Sequence, residues 1–530
     1  MVPHVPVLIV GGGPVGLAAA LFLARQGIRP LLVERRGRTS PMPRATHVTR
    51  RSMELFREAG IEPEIARAGF EVVTAADPRV LSDPHRTLPR LVVAVDSIAA
   101  GVRNAEILET GEEELAVPGP CPPYWCGQDR LEPILRAAAT RAGADVRFGH
   151  ELVGLDPGRT GVTARIRCGE TGSTRTVRAR YLVAADGAGG RTADRVGIPF
   201  TGLGTIAHRM TILFRANLDH LVRGRRFFMS MIENPAFSGA IMQLNDRDRW
   251  AAAIGYGPTT GRTRADFTPQ HCLALIRAAI GDDAVGVELD GVFRWEARHR
   301  VARTYRSGPV FLAGDAAHLH PPSGGFGSNV GFQDAHNLAW KIAAVCRGWA
   351  GEDLLDSYDP ERRPVGSATA EQSLLLDGVP AERLGGATPC DPRTLIMGYR
   401  YDSPAVLGAR PGGPFPPVFD LSWSPGTRMP HVRIGPVSTL DLVGRRFTVF
   451  SGDPGWHQAA DRVRTRSGVP VRGHLLDVGG VALVRPDGFV AWRHTGAVPD
   501  DADKARLLSW VLGRIVRPAR TYRESSAPAS

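Results

Sequence analysis

The sequence predicts an α/β protein: a Rossmann-like dinucleotide-binding half, an antiparallel sheet and a smaller C-terminal α/β unit. Three observations carry that reading. A strand, a G-x-G-x-x-G turn and a helix open the chain in VLIVGGGPVG (residues 7–16). Far downstream, a second strand delivers an aspartate into a glycine-rich loop in FLAGDAAHLHPPSGGFGSNVG (residues 311–331). Between them, short strand-like segments separated by polar turns read as an antiparallel meander.

Residues 5–10 form a largely β-branched apolar run, as a strand buried on both faces requires. Gly11, Gly13 and Gly16 follow at once, with Pro14 and Val15 opening a helix of apolar residues 17–24 that stops at Gly27. Gly11 permits the tight turn, Gly13 lets a pyrophosphate approach the backbone, and Gly16 lets helix and strand pack closely. The helix N-terminus offers free amides and a partial positive charge to phosphates. A second strand, residues 30–33, ends in Glu34, where a carboxylate accepts hydrogen bonds from a ribose diol. This unit alone does not separate NAD from FAD.

The distal motif does. Residues 309–313 read as another buried strand, ended by Gly314 and Asp315. An aspartate at the carboxyl end of a parallel strand lies in the ligand crevice, and the polyol of a ribityl chain is its natural donor. The loop then runs through Pro321, Pro322, Gly325, Gly327, Ser328 and Asn329 into a helix. Its first-turn amides would point at the flavin pyrimidine ring and favour the negative charge of reduced flavin. A nicotinamide enzyme has no use for such a second grip. The two motifs together predict one long ligand, FAD, held at both ends.

At these residues the chain resembles the single-component, FAD-dependent aromatic hydroxylases of the p-hydroxybenzoate hydroxylase fold. The nearest likeness is to the polyketide hydroxylases of anthracycline and tetracenomycin type. It runs through LVERR (32–36), PRA (43–45), GQDRLEPIL (127–135), YLVAADG (181–187), GDAAHLHPPSGGFGSNVGFQDAHNLAWKIA (314–343), LLDSYDPERRPV (354–365) and GYRYDSPAV (398–406). The resemblance implies that Arg35, Arg44, Gln128 and Asp186 belong to the cofactor site, with Arg44 and Gln128 on the FAD phosphates and ribityl chain. Read without it, Arg44 is a solvated loop residue and Gln128 a helix-cap polar group. There is one departure. The family's Asp-Gly motif continues with a serine and an arginine; here those places hold Gly190 and Ala193, with Arg191 and Arg195 displaced nearby. That puts the pyridine-nucleotide contacts in question.

Phe227, Met229, Met231, Phe237 and Met242 lie on or beside strand-like segments at 211–216, 226–232, 238–244 and 250–256. Most such residues pack a core, but some must roof the flavin if this sheet forms the substrate chamber, and Met-rich linings suit bulky planar ligands. His318 and His320, beside Pro321, are candidates for moving a substrate's phenolic proton, since histidine titrates near neutrality. Local backbone hydrogen bonding is the alternative role.

After residue 365 a helix is expected to about residue 384, then a Pro/Gly-rich stretch at 403–436. Strand 446–450, helix 455–467, strands 481–485 and 489–492 around Asp487-Gly488, and helix 502–516 follow. This β-α-β-β-α order resembles the thioredoxin-like domain at the C-terminus of such hydroxylases. It carries no cysteine, which excludes thiol redox chemistry and leaves packing or dimer contact. The expected division is 1–72, 104–184 and 296–375 for FAD, 73–103 and 185–295 for substrate, a linker at 376–425, the thioredoxin-like unit at 426–522 and a disordered tail at 523–530.

Composition bounds the rest. The net charge is +11, but the arginines are spread along the chain among acids, with no basic run to bind nucleic acid. The cysteines have neither C-x-x-C spacing nor metal-site clustering, and the histidines lack ligand spacing, so no metal is expected. The uncharged stretch 5–24 is cut by glycines and has no basic leader, which argues for a cytoplasmic protein without membrane contact. The expected reaction takes NADPH or NADH as a transient electron donor and O2, and hydroxylates a small aromatic substrate, a polycyclic polyketide or similar natural product, through a flavin hydroperoxide. Alternatives are Baeyer–Villiger oxygenation on the same scaffold, a plain NAD dehydrogenase and a non-hydroxylating flavoprotein. The chain is expected as monomer or homodimer.

Overall fold

The apolar run at the start of the chain does form a buried strand. In the computed structural model, which describes residues 3–517 apart from 102–104, 223–225, 245–247, 258–259 and 499, strand His4–Val10 has Val7, Leu8 and Ile9 fully buried. It lies between parallel neighbours Leu31–Glu34 and Thr174–Ala184, and Val310–Leu312 adds in parallel to the far end of Thr174–Ala184. His150–Pro157 and Val162–Cys168 extend one side antiparallel, and Asp145–Phe148 the other in parallel. Strands that begin far apart in the chain therefore end together: Val10, Ala184 and Leu312 sit side by side. Ligands of open α/β sheets bind at such carboxyl ends.

The second eight-stranded sheet runs in the order His318–Leu319, Glu288–Ala302, Phe200–Arg215, Arg249–Tyr256, Ser238–Gln243, Met229–Glu233, Val92–Val95, Glu106–Glu109. It is antiparallel except where Val92–Val95 runs parallel to Met229–Glu233. The expected strand at 211–216 is the end of a much longer one, and its partner Glu288–Ala302 was not foreseen. Along ELDGVFRWEARHRVA no residue is fully buried until Ala297, so no apolar run announces the strand. One face of this sheet packs Met210, Ile212, Phe214, Trp250, Ile241 and Ile254 on helix Pro269–Ile280. The opposite face carries the alternate residues, among them Thr211, Arg249, Phe293 and Trp295.

The helix expected to reach residue 384 is Tyr358–Leu376, closed by Gly378 in a left-handed conformation, with a separate 3-10 turn at Ala381–Leu384. The proline-rich stretch 403–436 is anchored at its two ends, where Ala405, Val406, Arg428 and Met429 are buried, while 407–425 is half-buried or exposed. The C-terminal unit gains a strand missed in the sequence, Val471–Leu475, giving the sheet order Val471–Leu475, Phe447–Ser451, Val481–Val484, Val490–His494, with helices Gly455–Ser467 and Asp501–Val516 packed side by side on one face. One parallel and two antiparallel pairings in that order make a thioredoxin-like sheet. Phe447, Trp456, Trp492 and Leu508 join the same core as Val7 and Leu8, so this unit is packed into the body of the protein. The tail at 523–530 lies outside the described residues. Among the described residues no helix is long and apolar enough to cross a membrane.

Candidate functional site

The two glycine-rich motifs touch. A Cβ on Gly16 would lie 2.0 Å from the Gly11 carbonyl oxygen, and Gly11, at φ +110°, stands against the Ala185 carbonyl. Val15, on helix Pro14–Arg25, fits between Gly314 and Gly331: a Cβ on Gly331 would meet Val15 Cγ2 at 2.4 Å and Gly314 Cα at 3.0 Å. The N-termini of helices Pro14–Arg25 and Gly327–Cys346 thereby converge on one crevice. Neither has a side chain capping its first turn, so its leading amides are free for a ligand. A Cβ on Gly13 would have nothing within 4 Å, which opens that turn to whatever fills the crevice.

Polar groups line the crevice in sequence. The Glu34 carboxylate accepts from the Gly12 amide at 2.7 Å and the Arg36 amide at 2.9 Å, which fixes it at the strand end. Arg35 is exposed beside it. Arg44, also exposed, forms no ion pair among the described residues, and burial with the nearby Arg36 lowers its pKa. The loop that carries it is zipped by the Gln128 amide donating to the Arg44 carbonyl, and Ala45 sits at φ 45°, a left-handed conformation costly for alanine. Gln128 begins helix Gln128–Arg141 and donates to Glu132 at 2.5 Å. Asp315 is open to solvent, yet burial raises its pKa, with His318 and Arg44 pulling it down. The two facts agree if the side chain lines a cleft deep in the protein, reached by water but enclosed by protein mass. No described residue gives its carboxylate a hydrogen bond.

Other predicted residues turn inwards. The Asn329 side chain accepts from the Thr49 amide and Ser52 hydroxyl and donates to the His47 and Gly325 carbonyls, so it clamps the loop with its own hydrogen bonds. Asp186 accepts from the Arg191 and Thr192 amides and the Thr192 hydroxyl, and Gly190 is packed against its carboxylate: a Cβ there would lie 2.2 Å from Cγ. His318 is fully buried, with Nε2 2.7 Å from Asp334. Asp334 also accepts from the Gly314 amide and from Arg362 at 2.7 Å. Burial would raise the Asp334 pKa, but Arg362 and His318 outweigh it and bring it to about 2. Pro321 is buried, and Pro322, Gly325, Gly327 and Ser328 line the loop between it and the helix.

The face of the second sheet turned away from helix Pro269–Ile280 carries the predicted methionines. Alternation puts Met229 beside Met242, and Met231 (39% exposed) beside Ala240, on that face. Thr211, Phe293 and Trp295 share it, with Trp295 Nε1 donating to Thr211 at 2.9 Å. Arg249 on the same face pairs with Asp129, next to Gln128. Phe227 and Phe237 are corrected: they are 1% exposed in the core with Trp250 and Ile241, behind the sheet; Phe237 shares the parity of Ile241, whereas Phe227 precedes strand Met229–Glu233 and does not follow its alternation.

Comparison with known proteins matches this geometry. A family model described as "FAD binding domain" matches residues 4–373, and "Aromatic-ring hydroxylase, C-terminal" matches residues 422–515. The chain belongs to the FAD-dependent aromatic-ring hydroxylases. It is 43% identical to the tetracenomycin A2 monooxygenase-dioxygenase of Streptomyces glaucescens over 98% of this chain and 97% of that protein. It is 39% identical to the tetracenomycin B2 monooxygenase-dioxygenase of Streptomyces olivaceus over 98% of this chain and 99% of that one. Among solved structures, aklavinone-11 hydroxylase with FAD and aklavinone superimposes with a TM-score of 0.86 at 35% identity, covering 97% of this chain and all of that one.

The hydroxylase's cofactor is FAD, and the residues present fit it. An open glycine turn, two uncapped helix N-termini, an arginine with no ion-pair partner among the described residues and a carboxylate lacking a donor follow one another along one crevice, which is the set a dianionic pyrophosphate and a polyol require. Sequence reasoning missed what holds this set together. Glu361, Lys341, Arg485 and Asp487 form a fully buried ion network, with Glu361 2.7 Å from Lys341 and 2.6 Å from Arg485. Burial lowers Lys341 to about 8, against the pull of Glu361. Arg428 pairs with Glu54, and Arg51 joins Glu54 to the Asp487 carbonyl. Partners up to 436 positions apart leave no local sequence signal.

Proposed function

We propose that this hydroxylase places one atom of O2 on an electron-rich ring of a planar, polycyclic phenol or hydroxyquinone of the polyketide class, with NAD(P)H as the reductant, in the cytoplasm. Bound FAD supplies the two-electron chemistry and the activation of oxygen. The chain's own residues bind, orient and seal. Gly11, Gly13, Pro14, Val15 and Gly16 with the helix behind them hold the pyrophosphate, Arg44 neutralises it, Glu34 takes the adenosine ribose, and Asp315 and Gln128 take the ribityl chain. The amides of Gly327, Ser328 and Asn329 stabilise negative charge on the pyrimidine side of the ring system. Met229, Met231 and Met242 hold the substrate's flat face from the opposite wall, where the adaptable thioether suits a fused-ring ligand.

The convergence of three strand ends and both glycine-rich turns on one crevice carries this reading. The substrate class rests on relatives named for tetracenomycin and aklavinone. The test is a screen of planar phenols and polyketide quinones for stimulated NAD(P)H oxidation, with mass spectrometry of products. Gain of one oxygen without ring insertion supports hydroxylation. A ring-expanded lactone would mean Baeyer–Villiger oxygenation, and NAD(P)H consumption unaffected by any aromatic compound would sink the proposal.

A further inference from the structure

The C-terminal unit carries no cysteine, so thiol chemistry does not account for its presence. Its contacts do. The turn at 485–489, between strands Val481–Val484 and Val490–His494, enters the seam between helices Gly327–Cys346 and Tyr358–Leu376. On the second helix Arg485 reaches Glu361 at 2.6 and 2.8 Å. On the first, Asp487 accepts from Asn337 Nδ2 at 3.2 Å and from Trp340 Nε1 at 3.1 Å. The Phe489 ring stacks on Tyr401, with 4.1 Å between centroids and 26° between planes, and the Arg485 guanidinium lies 5.3 Å from the same ring.

Tyr401 joins this turn to the floor of the cofactor crevice. Its hydroxyl accepts from Arg362 Nη1 at 3.1 Å, and Arg362 Nε donates to Asp334 Oδ1 at 2.7 Å. The other oxygen of that carboxylate accepts from the Gly314 amide at 3.0 Å and meets His318 Nε2 at 2.7 Å, with the His320 ring 4.8 Å from that of His318. Gly314 is in a left-handed conformation, φ +59°, and immediately precedes Asp315. Each step from Phe489 through Tyr401, Arg362 and Asp334 to Gly314 is thus a direct contact between buried residues.

A carboxylate is rigid, so its two oxygens move together, and the place of Arg362 fixes where the Gly314 amide is held. Arg362 has no slack of its own. Its remaining nitrogen donates to the Val330 carbonyl at 3.2 Å and to Gln333 at 3.4 Å, and a close-packed interior transmits a displacement instead of absorbing it. We propose that the turn at 485–489 is part of the cofactor site. Tyr401 and Arg362 are its positioning residues, holding Asp334 on the Gly314 amide, so that FAD binding and seating of the C-terminal unit favour one another. This rests on the reading that Asp315 takes the ribityl chain. A passive interface would add stability alone, whereas a positioning one changes how FAD is held by a protein that stays folded.

The test is calorimetric titration of the full-length apoprotein with FAD, well below its melting temperature, in Phe489→Leu and Tyr401→Phe. The first removes the ring that seats Tyr401; the second keeps that stack and removes the hydroxyl beneath Arg362. Each should raise the FAD dissociation constant at least about fivefold and alter the visible circular dichroism of the bound flavin at saturation. Because both act through Arg362, the double variant should bind little more weakly than the worse single one. Val511→Ala, fully buried in the same unit on helix Asp501–Val516, is the control. It lowers stability but should leave FAD affinity within about twofold and the flavin signal unchanged. Wild-type affinity and signal in either test variant would overturn the proposal, as would an equal loss in Val511→Ala. Asp315→Ala separates the two readings: wild-type affinity there removes the crevice assignment itself. Weak binding there, with wild-type affinity in Phe489→Leu and Tyr401→Phe, removes only the coupling.

Discussion

Gly331→Ala perturbs the contact that joins the two halves of the cofactor crevice. Gly331 lies inside helix Gly327–Cys346, where alanine is intrinsically favoured over glycine by about 1 kcal/mol. Against that, the new methyl group would sit 2.4 Å from Val15 Cγ2, 3.4 Å from Cγ1 and 3.0 Å from the Gly314 backbone. Val15 is β-branched and stiff at χ1, and it is also held on the Gly314 side, so neither neighbour can give freely. Overpacking costs about 1–3 kcal/mol, and with backbone as one wall the upper half of that range applies. The steric term wins. The net loss is about 1–2 kcal/mol in denaturant unfolding of the apoprotein, and spreading the two motifs weakens FAD binding about tenfold, since about 1.4 kcal/mol is a decade. Val15→Ala in the same chain removes the clash and should restore most of both quantities, a coupling read directly from the double-mutant cycle. A Gly331→Ala protein as stable as wild type with unaltered FAD affinity, or a double variant no better than the single one, would refute the packing argument.

Asp315→Ala should yield folded but largely colourless protein, because its carboxylate has no protein donor to lose; full flavin occupancy on absorbance would contradict its role. Ala45→Gly should raise unfolding stability by up to about 1 kcal/mol, as relief of the left-handed strain exceeds the added chain entropy; a destabilised variant would show that the strain is not there. Asp334 is depressed from 3.8 to about 2, so its contribution is present above pH 4 and is lost as pH falls from 4 towards 2. That limb is worth about 2 kcal/mol, and in Asp334→Asn the acid dependence of stability should be shallower over that window; an unchanged slope would rule Asp334 out as its source.

Much of this was legible because the signals are local. Backbone demands at Gly11, Gly13, Gly16 and Gly314, an apolar strand before each, and an acid at each strand end are written within a few residues of one another. The helix Gly455–Ser467 was read to its termini, with Gly468 in a left-handed conformation after it. Three things were not legible. Glu288–Ala302 is a strand whose faces are half-wet, so hydrophobic periodicity is silent. Phe227 and Phe237 look like Met229 in composition, and where each strand begins, which the apolar pattern does not mark, decides which side chains reach the core. The inward hydrogen bonds of Asn329 and Asp186, and the ion network of Glu361, Arg485 and Lys341, depend on partners distant in the chain, and a charged residue in sequence carries no mark of being buried. The proline-rich stretch 403–436 read as a linker, and Arg428 at its far end is buried against Glu54, a partner no local pattern reveals.

FAD affinity in Gly13→Ala tests the crevice most directly. Gly13 has ordinary extended backbone angles, φ −75° and ψ −177°, and its added methyl would touch no protein atom, so the apoprotein should fold with a loss of at most about 1 kcal/mol from the poorer N-cap. The methyl would instead project into the space assigned to the pyrophosphate. Calorimetric titration should then show FAD binding weakened by at least tenfold on a protein whose unfolding is nearly unchanged. Wild-type FAD affinity in that variant would mean that the cofactor lies elsewhere.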